Sequence, residues 1–313
     1  SKWLDKDSPI IDGIEINNLS IVDQKLCIGS INNGLLILNK QKELLYTINT
    51  NNGLLNNTVL SQYEDASGNL WLGLDNGFAC VYLSSPLYAF NDKSGKLGTL
   101  YAIAKSRKDP DLEYLGSNHG VFKKENNKLS FIENSNGQVW NLKQIGNEII
   151  CGHNNGTFLI KNGVFEFLST ISGGTRLIPT ENPNEFIQGN YSGLSKFIRS
   201  KTGWKISHFQ NADYRVSELA LDKNNNFWIV SPHNGIYRFK QDGEILIENK
   251  HYPLEKFQHI FQLNNDIFLT GKKQVFKYDI INDTIIKDEI LTEKLMPLDK
   301  VMAFQDKFIV TKN

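Results

Sequence analysis

The sequence predicts an all-β fold, a seven-bladed β-propeller of four-stranded antiparallel blades. A hairpin pattern recurs seven times, and its period suits propeller blades. In addition, no stretch keeps a 3.6-residue apolar period over three turns, so most of the secondary structure should be strand.

The clearest copy is the run from Asp65 to Tyr82. It reads as a turn ending in Gly68-Asn69, a strand Leu70 to Leu74, an Asp-Asn-Gly turn and a strand Phe78 to Tyr82. Asn-Gly between two apolar strands is a strong short hairpin signal. The pattern returns at Leu26 to Gly29, Glu113 to Gly116, Ile149 to Gly152, Phe186 to Gly189, Phe227 to Val230 and, degraded, at Ile267 to Thr270. The turn residues are Gly34, Gly77, Gly120, Gly156, Gly193, Gly235 and Gln274, spaced by 43, 43, 36, 37, 42 and 39 residues. With its flanks, the second copy has four strands, Thr58 to Glu64, Leu70 to Leu74, Phe78 to Tyr82 and Leu87 to Phe90. A four-stranded sheet with no helix over it must bury its faces on neighbouring sheets, and radial stacking does so while leaving only short edges. The glycines near the end of the second strands, Gly29, Gly73, Gly116, Gly152 and Gly189, would then admit a neighbouring backbone or ring.

Taken in order, Ile10 to Asn17 alternates apolar and polar residues and leads into Leu19 to Asp23, the inner strand of blade one. Its hairpin follows at Leu26 to Leu38, and the Asn-rich stretch Asn49 to Asn57 reads as a surface loop between blades. Blades three and four begin at Thr99 to Lys105 and Gln138 to Lys143, with outer strands near Leu129 to Ile132 and Val164 to Leu168. Blade five has Thr175 to Pro179 and Trp204 to Phe209, and blade six starts with Val216 to Asp222. Blade seven runs from Phe257 to Leu263 through Val275 to Ile280. Val301 to Phe304 and Lys307 to Thr311 read as the first two strands of another unit, which either closes the ring with the first segment or begins an eighth blade.

The repeat runs from end to end, so residues 1–313 are read as one domain, a piece of a larger multidomain protein. Lys plus Arg and Asp plus Glu balance at 34 each, which gives no basic field for nucleic acid. The three cysteines, Cys27, Cys80 and Cys151, lie in apolar strands without C-x-x-C spacing and read as buried free thiols. No apolar run reaches the length of a membrane span, and Ser1-Lys2-Trp3 opens no signal-peptide pattern.

The phrase Asn52-Gly53-Leu54-Leu55-Asn56-Asn57-Thr58-Val59, leading to the run Glu64 to Gly77, closely resembles the two-component regulator propeller repeat. Blade six repeats part of it as Asp222 to Ile229 and His233-Asn234-Gly235, whereas blades six and seven have Val230 and Thr270 in place of the strand glycine. The resemblance implies the sensor region of a bacterial hybrid histidine kinase, or of a one-component regulator with a triple-tyrosine module and a LuxR-type helix-turn-helix. It also implies a periplasmic location. No kinase, receiver or helix-turn-helix pattern is present.

The turns between second and third strands should share one face, which many propellers use for ligands. The turn residues are polar, and their bland explanation is that Asn and Asp tolerate left-handed backbone angles. The sharper alternative is a ligand-binding rim of Asp75, Asn118, His119, His153, Asn154, Tyr191 and His233. Zinc needs imidazole nitrogens within about 2 Å of one ion. His119, His153 and His233 come from blades three, four and six, so neither a metal nor a cofactor is expected. Trp71, Trp140 and Trp228 read as core residues between blades, with stacking on a sugar as the alternative. The expected function is non-enzymatic sensing of a polar small molecule, an oligosaccharide or an adjacent domain, with a homodimer as a further option. The competing class is a propeller enzyme, a lyase or glycan-active protein, with its site on the polar turn face.

Overall fold

The computed structural model describes residues 9–85, 92, 94–109, 111–125, 128–271 and 274–294, and the backbone of 300–304 and 307–311. Its strands form two compact units, residues 1–96 and 97–313.

The smaller unit holds two sheets. The first is β1 (Ile16–Val22), β2 (Lys25–Ser30), β3 (Leu35–Leu38) and β4 (Leu44–Ile48), paired in sequence order. The second is β5 (Val59–Glu64), β6 (Leu70–Leu74) and β7 (Gly77–Val81). The expected fourth strand of this blade, Leu87 to Phe90, lies outside the described residues. The first strand starts at Ile16, three residues before the expected Leu19, and the alternating stretch ahead of it is not strand. Ile10, Ile11 and Ile14 instead cover Leu26, Ile28, Leu36 and Leu38 on one face of the sheet. The other face packs Cys27, Leu35 and Ile37 against Val59, Leu70 and Leu72 of the second sheet.

The larger unit holds five four-stranded antiparallel sheets and one hairpin. The third blade is β8 (Leu100–Lys105), β9 (Leu112–Ser117), β10 (Val121–Glu125) and β11 (Lys128–Phe131); the fourth is β12 (Val139–Ile145), β13 (Glu148–His153), β14 (Gly156–Lys161) and β15 (Val164–Ser169). The fifth is β16 (Arg176–Pro179), β17 (Glu185–Asn190), β18 (Gly193–Ser200) and β19 (Gly203–His208); the sixth is β20 (Glu218–Leu221), β21 (Phe227–Ser231), β22 (Gly235–Asp242) and β23 (Ile245–Tyr252). The seventh is β24 (His259–Leu263), β25 (Asp266–Gly271), β26 (Gln274–Asp279) and β27 (Thr284–Lys287). A short helix, α1 (Glu289–Lys294), precedes the hairpin β28 (Lys300–Phe304) and β29 (Lys307–Thr311). The helix has too few turns to leave a periodic signature in the sequence.

In every complete blade the strands pair in chain order, and β8, β12, β16, β20 and β24 follow one another side by side, with β28 next to β24. This is the arrangement of β-propeller blades. Period-2 alternation serves two interfaces at once. On β13, Ile149 and Cys151 face the core shared with the third blade, while Ile150 faces Leu177, Phe186 and Phe197 of the fifth.

The turn glycines are required by backbone geometry. Gly120 and Gly156 have φ of 139° and 151°, a region that side chains rarely occupy. The strand glycines serve packing, with one exception. A Cβ on Gly116 would lie 2.5 Å from Val139 Cγ1 of the next blade, and one on Gly189 would lie 2.6 Å from Val216 Cγ1. On Gly152 it would meet the Gly174 carbonyl oxygen at 1.9 Å, whereas on Gly73 it would meet only Ser61 Oγ of the same blade, at 2.4 Å. The inter-blade explanation therefore does not extend to Gly73.

Two further expectations need correction. Of Trp71, Trp140 and Trp228, only the last is in the core, fully buried, whereas Trp71 is 38% exposed and Trp140 half-buried. Trp71 stands on a sheet face beside Phe78, and Trp140 is turned out of the core at a bulge in β12. Cys27 and Cys151 are buried, but Cys80 is only half-buried, because it lies across from Trp71 on that same outward row.

Candidate functional site

The Asp-to-Trp run is an Asp-centred clasp. Asp65 accepts hydrogen bonds from the Ser67 and Asn69 backbone N–H groups at 2.9 and 3.0 Å, from Asn69 Nδ2 at 3.0 Å and from Trp71 Nε1 at 2.9 Å. The donors hold its carboxyl down at about 2, the indole N–H contributing most. Asp222 repeats the clasp with Asn224, Asn226 and Trp228 Nε1 at 2.9, 3.0 and 3.0 Å. One carboxylate thus closes the turn and fixes the tryptophan, which explains why Asp, Asn and Trp recur at that spacing.

In the larger unit, the turn between second and third strands does meet the connection to the next blade. Gly137, between the third and fourth blades, donates its N–H to the His119 carbonyl at 3.3 Å, and Gly173, between the fourth and fifth, donates to the His153 carbonyl at 2.8 Å. This end of the unit brings Asn118, His119, His153, Asn154 and Tyr191 into one band.

Within that band the side chains divide. Asn118 Oδ1 accepts the Thr99 N–H at 2.7 Å and Asn154 Oδ1 accepts the Gln138 N–H at 3.0 Å, so both close the entry to their own blade's inner strand. His153 is 1% exposed, set edge-on against Phe158 and Phe165. Its Nδ1 accepts the Asn155 N–H at 3.1 Å, which places the imidazole proton on Nε2. Burial pushes His153 below its ordinary value, against the pull of the Ser135 and Asn136 carbonyls, so it stays neutral at pH 7. His119 is exposed, and His233 is exposed in the sixth blade, two blades beyond His153. Asp75, in the smaller unit, is an exposed turn residue whose N–H donates to the Thr58 carbonyl at 3.2 Å.

Tyr191 differs from these. Its hydroxyl accepts the Trp140 Nε1–H at 2.6 Å, and the Arg215 guanidinium lies 5.2 Å from its ring centroid. Tyr101 stands 5.2 Å from Trp140 on the other side. Sequence reasoning missed Tyr101 and Arg215 and placed Trp140 in the core. The signal was available only through register: Tyr101 and Trp140 hold equivalent places, each in the bulge one residue before the one paired with a strand glycine.

A serine–histidine pair that no linear spacing announces also occurs. Ser195 Oγ lies 2.9 Å from His208 Nδ1, and His208 Nε2 lies 2.9 Å from the Ser192 carbonyl. Ser195 is fully buried and accepts from Asn190 Nδ2 at 2.8 Å, and the second imidazole nitrogen meets a carbonyl rather than a carboxylate. The pair ties the fifth blade together and is not open to a substrate. Among the described residues, no group of three or more His, Cys, Asp or Glu is placed to hold a metal ion.

Residues 53–76 match the two component regulator propeller family. The chain carries a two component regulator propeller repeat. The match spans the loop, the inner strand and the Asp65 clasp of the second blade. No curated protein matches the chain. Among solved structures, the extracellular domain of the putative hybrid two component system BT3049 from B. thetaiotaomicron matches with a TM-score of 0.62 at 15% identity, over 92% of this chain and 42% of that one. The extracellular domain of the putative hybrid two component system BT4673 from B. thetaiotaomicron matches with a TM-score of 0.52 at 12% identity, over 94% and 46%. The chain thus spans less than half the length of these structures, and at such identity the likeness is one of fold. No helix among the described residues is long and apolar enough to cross a membrane.

Proposed function

We propose that this propeller is the extracytoplasmic sensing part of a bacterial signal-transduction or transcription-regulator protein, and that it binds a ligand without transforming it. The observation that carries the reading is the regulator propeller repeat at residues 53–76. The architecture shared with two extracellular domains of putative hybrid two component systems is consistent with it.

The band of polar turns also favours binding over catalysis. His153 is neutral, buried and committed through Nδ1, so it is a poor acid or base at this surface. Asn118 and Asn154 spend their side-chain oxygens on backbone. Of the rim read from the sequence, His119, Tyr191 and His233 in the larger unit, and separately Asp75 in the smaller one, present exposed or half-buried side chains that a ligand would meet. A ligand or a neighbouring domain binding there would act by favouring one packing of the intact protein over another.

The test is made in the intact protein. Deleting this chain should leave its output fixed, high or low, whatever is added to the medium. Output that remains inducible without the chain would overturn the sensor reading. Hydrolysis or elimination of a polysaccharide by the purified chain would replace it with the enzyme reading.

A further inference from the structure

The inner strands of the larger unit carry a side-chain cluster that neither the polar turns nor the blade cores account for. In β8 the pairing steps from Leu100 opposite Ser117 to Ala102 opposite Gly116, and in β12 from Val139 opposite His153 to Asn141 opposite Gly152. Each step leaves one residue in a bulge, Tyr101 in the first and Trp140 in the second. A bulge bends the strand and re-aims the side chain it carries.

The two rings stand 5.2 Å apart, tilted by 54°. Trp140 meets Tyr191 of the fifth blade edge-on at 6.3 Å, and its indole N–H donates to the Tyr191 hydroxyl at 2.6 Å. Arg215, on the approach to the sixth blade, caps the Tyr191 ring at 5.2 Å. Three rings and a guanidinium thus come from four consecutive blades. They are not core: Tyr101 is 44% exposed, Arg215 is exposed, and Trp140 and Tyr191 are half-buried. The hydroxyl of Tyr191 accepts from Trp140 and keeps its own proton to donate.

Neither Arg215 nor Lys143 and Arg176 on the neighbouring inner strands has a carboxylate partner among the described residues, although elsewhere lysines find theirs, as Lys124 does with Glu113 at 2.8 Å. Burial pushes Lys143 down, and the like charges of Arg176 and Arg107 add to that. In a chain whose charges balance at 34 each, Arg215 is a cation set on an aromatic face with no carboxylate paired to it among the described residues. Stacking and a cation together select one chemistry, a flat apolar face joined to a negative group.

We propose that Tyr101, Trp140, Tyr191 and Arg215 bind a small organic anion with a flat apolar face, the face laid on the rings and the anionic group met by Arg215 and the Tyr191 hydroxyl. The proposal deepens the sensor reading and rests on it for its consequence, but the binding is measured without reference to signalling. Two sources share this chemistry, the C–H face of an acidic sugar and the ring of an aromatic acid.

The experiment titrates the purified chain with digalacturonate, 4-hydroxybenzoate and the neutral disaccharide cellobiose, followed by calorimetry and indole fluorescence. One of the two anions should bind, with cellobiose at least tenfold weaker, and which anion binds identifies the source. Arg215→Ala and Tyr101→Ala, both at exposed positions, should each weaken it at least tenfold with the melting temperature unchanged. Trp140→Phe, which keeps a ring but loses the donor to Tyr191, should weaken it less than Tyr101→Ala. The proposal is overturned if neither anion binds at millimolar concentration, if Arg215→Ala leaves the affinity unchanged, or if cellobiose binds as tightly as the anions. Each of these leaves the sensor reading standing, since that falls only to an output inducible without the chain.

Discussion

Replacing Gly152 by alanine tests the idea that blades approach as closely as their strand glycines allow. The added Cβ would sit 1.9 Å from the Gly174 carbonyl oxygen, and ordinary contact begins at 3.4 Å, so β13 and the segment leading into β16 must part by about 1.5 Å. The obstacle is backbone and cannot rotate away. Gly152 has no left-handed backbone angle, so the whole cost is overpacking, about 1–3 kcal/mol. For a unit of this size that lowers the melting temperature by roughly 2–12 °C, taking about 2–4 °C per kcal/mol. Gly73→Ala is the paired control. There the new methyl group meets only Ser61 Oγ, which a change of χ1 removes, and the loss of backbone freedom in the unfolded chain favours alanine by about 0.4–1 kcal/mol. Melting followed by circular dichroism should show Gly152→Ala clearly destabilised and Gly73→Ala near or above the parent. A Gly152→Ala protein that melts with the parent would refute the close-approach argument for the strand glycines.

Three other outcomes follow from the same geometry. Asp222→Ala strips the clasp from the fully buried Trp228 and from Asn226, leaving buried donors unmet, and should cost about 3 kcal/mol in urea unfolding; a loss no larger than that of Asp65→Ala, whose tryptophan is partly exposed, would contradict it. Asp65 at about 2 and Asp283, held below its ordinary value chiefly by Arg238, both have depressed folded values, so their contribution is present above pH about 4 and fades as the pH falls towards 2; denaturation midpoints between pH 5 and 2.5 should fall more steeply for the parent than for Asp65→Asn, and parallel curves would remove the carboxylate from the account. Iodoacetamide at pH 8 should label Cys80 first, since Cys27 is pushed up to about 11 by burial and Cys151 is buried outright; peptide mass spectrometry showing Cys27 or Cys151 labelled first would contradict this.

Much of the fold is legible in the chain because each blade repeats local instructions: turn glycines, short apolar strands and a period near 40 residues. Leu70 to Leu74 is a strand with the bounds the pattern suggests, and the hairpins beyond it begin within a residue or two of expectation. What remained hidden depends on partners distant in sequence. Ile10 to Ile14 alternates like a strand but gains more by covering one face of the first sheet than by pairing. Trp71 and Trp228 look alike in sequence, with the same clasp, and differ only in what lies against them. The polar turns were visible as residues, yet whether Asn118 faces a ligand or its own backbone is decided by a hydrogen bond to Thr99 across the blade.

The division between clasp, glycine and bulge suggests how such a repeat can change its ligand without losing its fold. The clasp Asp and strand glycines such as Gly116, Gly152 and Gly189 are fixed by contacts within and between blades, so substituting them costs stability. The bulge position is held by backbone pairing on either side, and its side chain leaves the core whatever its type. In the smaller unit the equivalent places hold Asn17 and Leu60, opposite the same steps in register. Asn17 donates to the Val59 carbonyl at 3.0 Å, a structural use, whereas Tyr101 and Trp140 present rings. The backbone tolerates amide, aliphatic and aromatic residues at one geometry, so chemistry there is free to vary. In the anion site proposed above, ligand preference is therefore expected to reside in the bulge residues Tyr101 and Trp140 and the turn residue that meets them, Tyr191, while the surrounding blade stays constant.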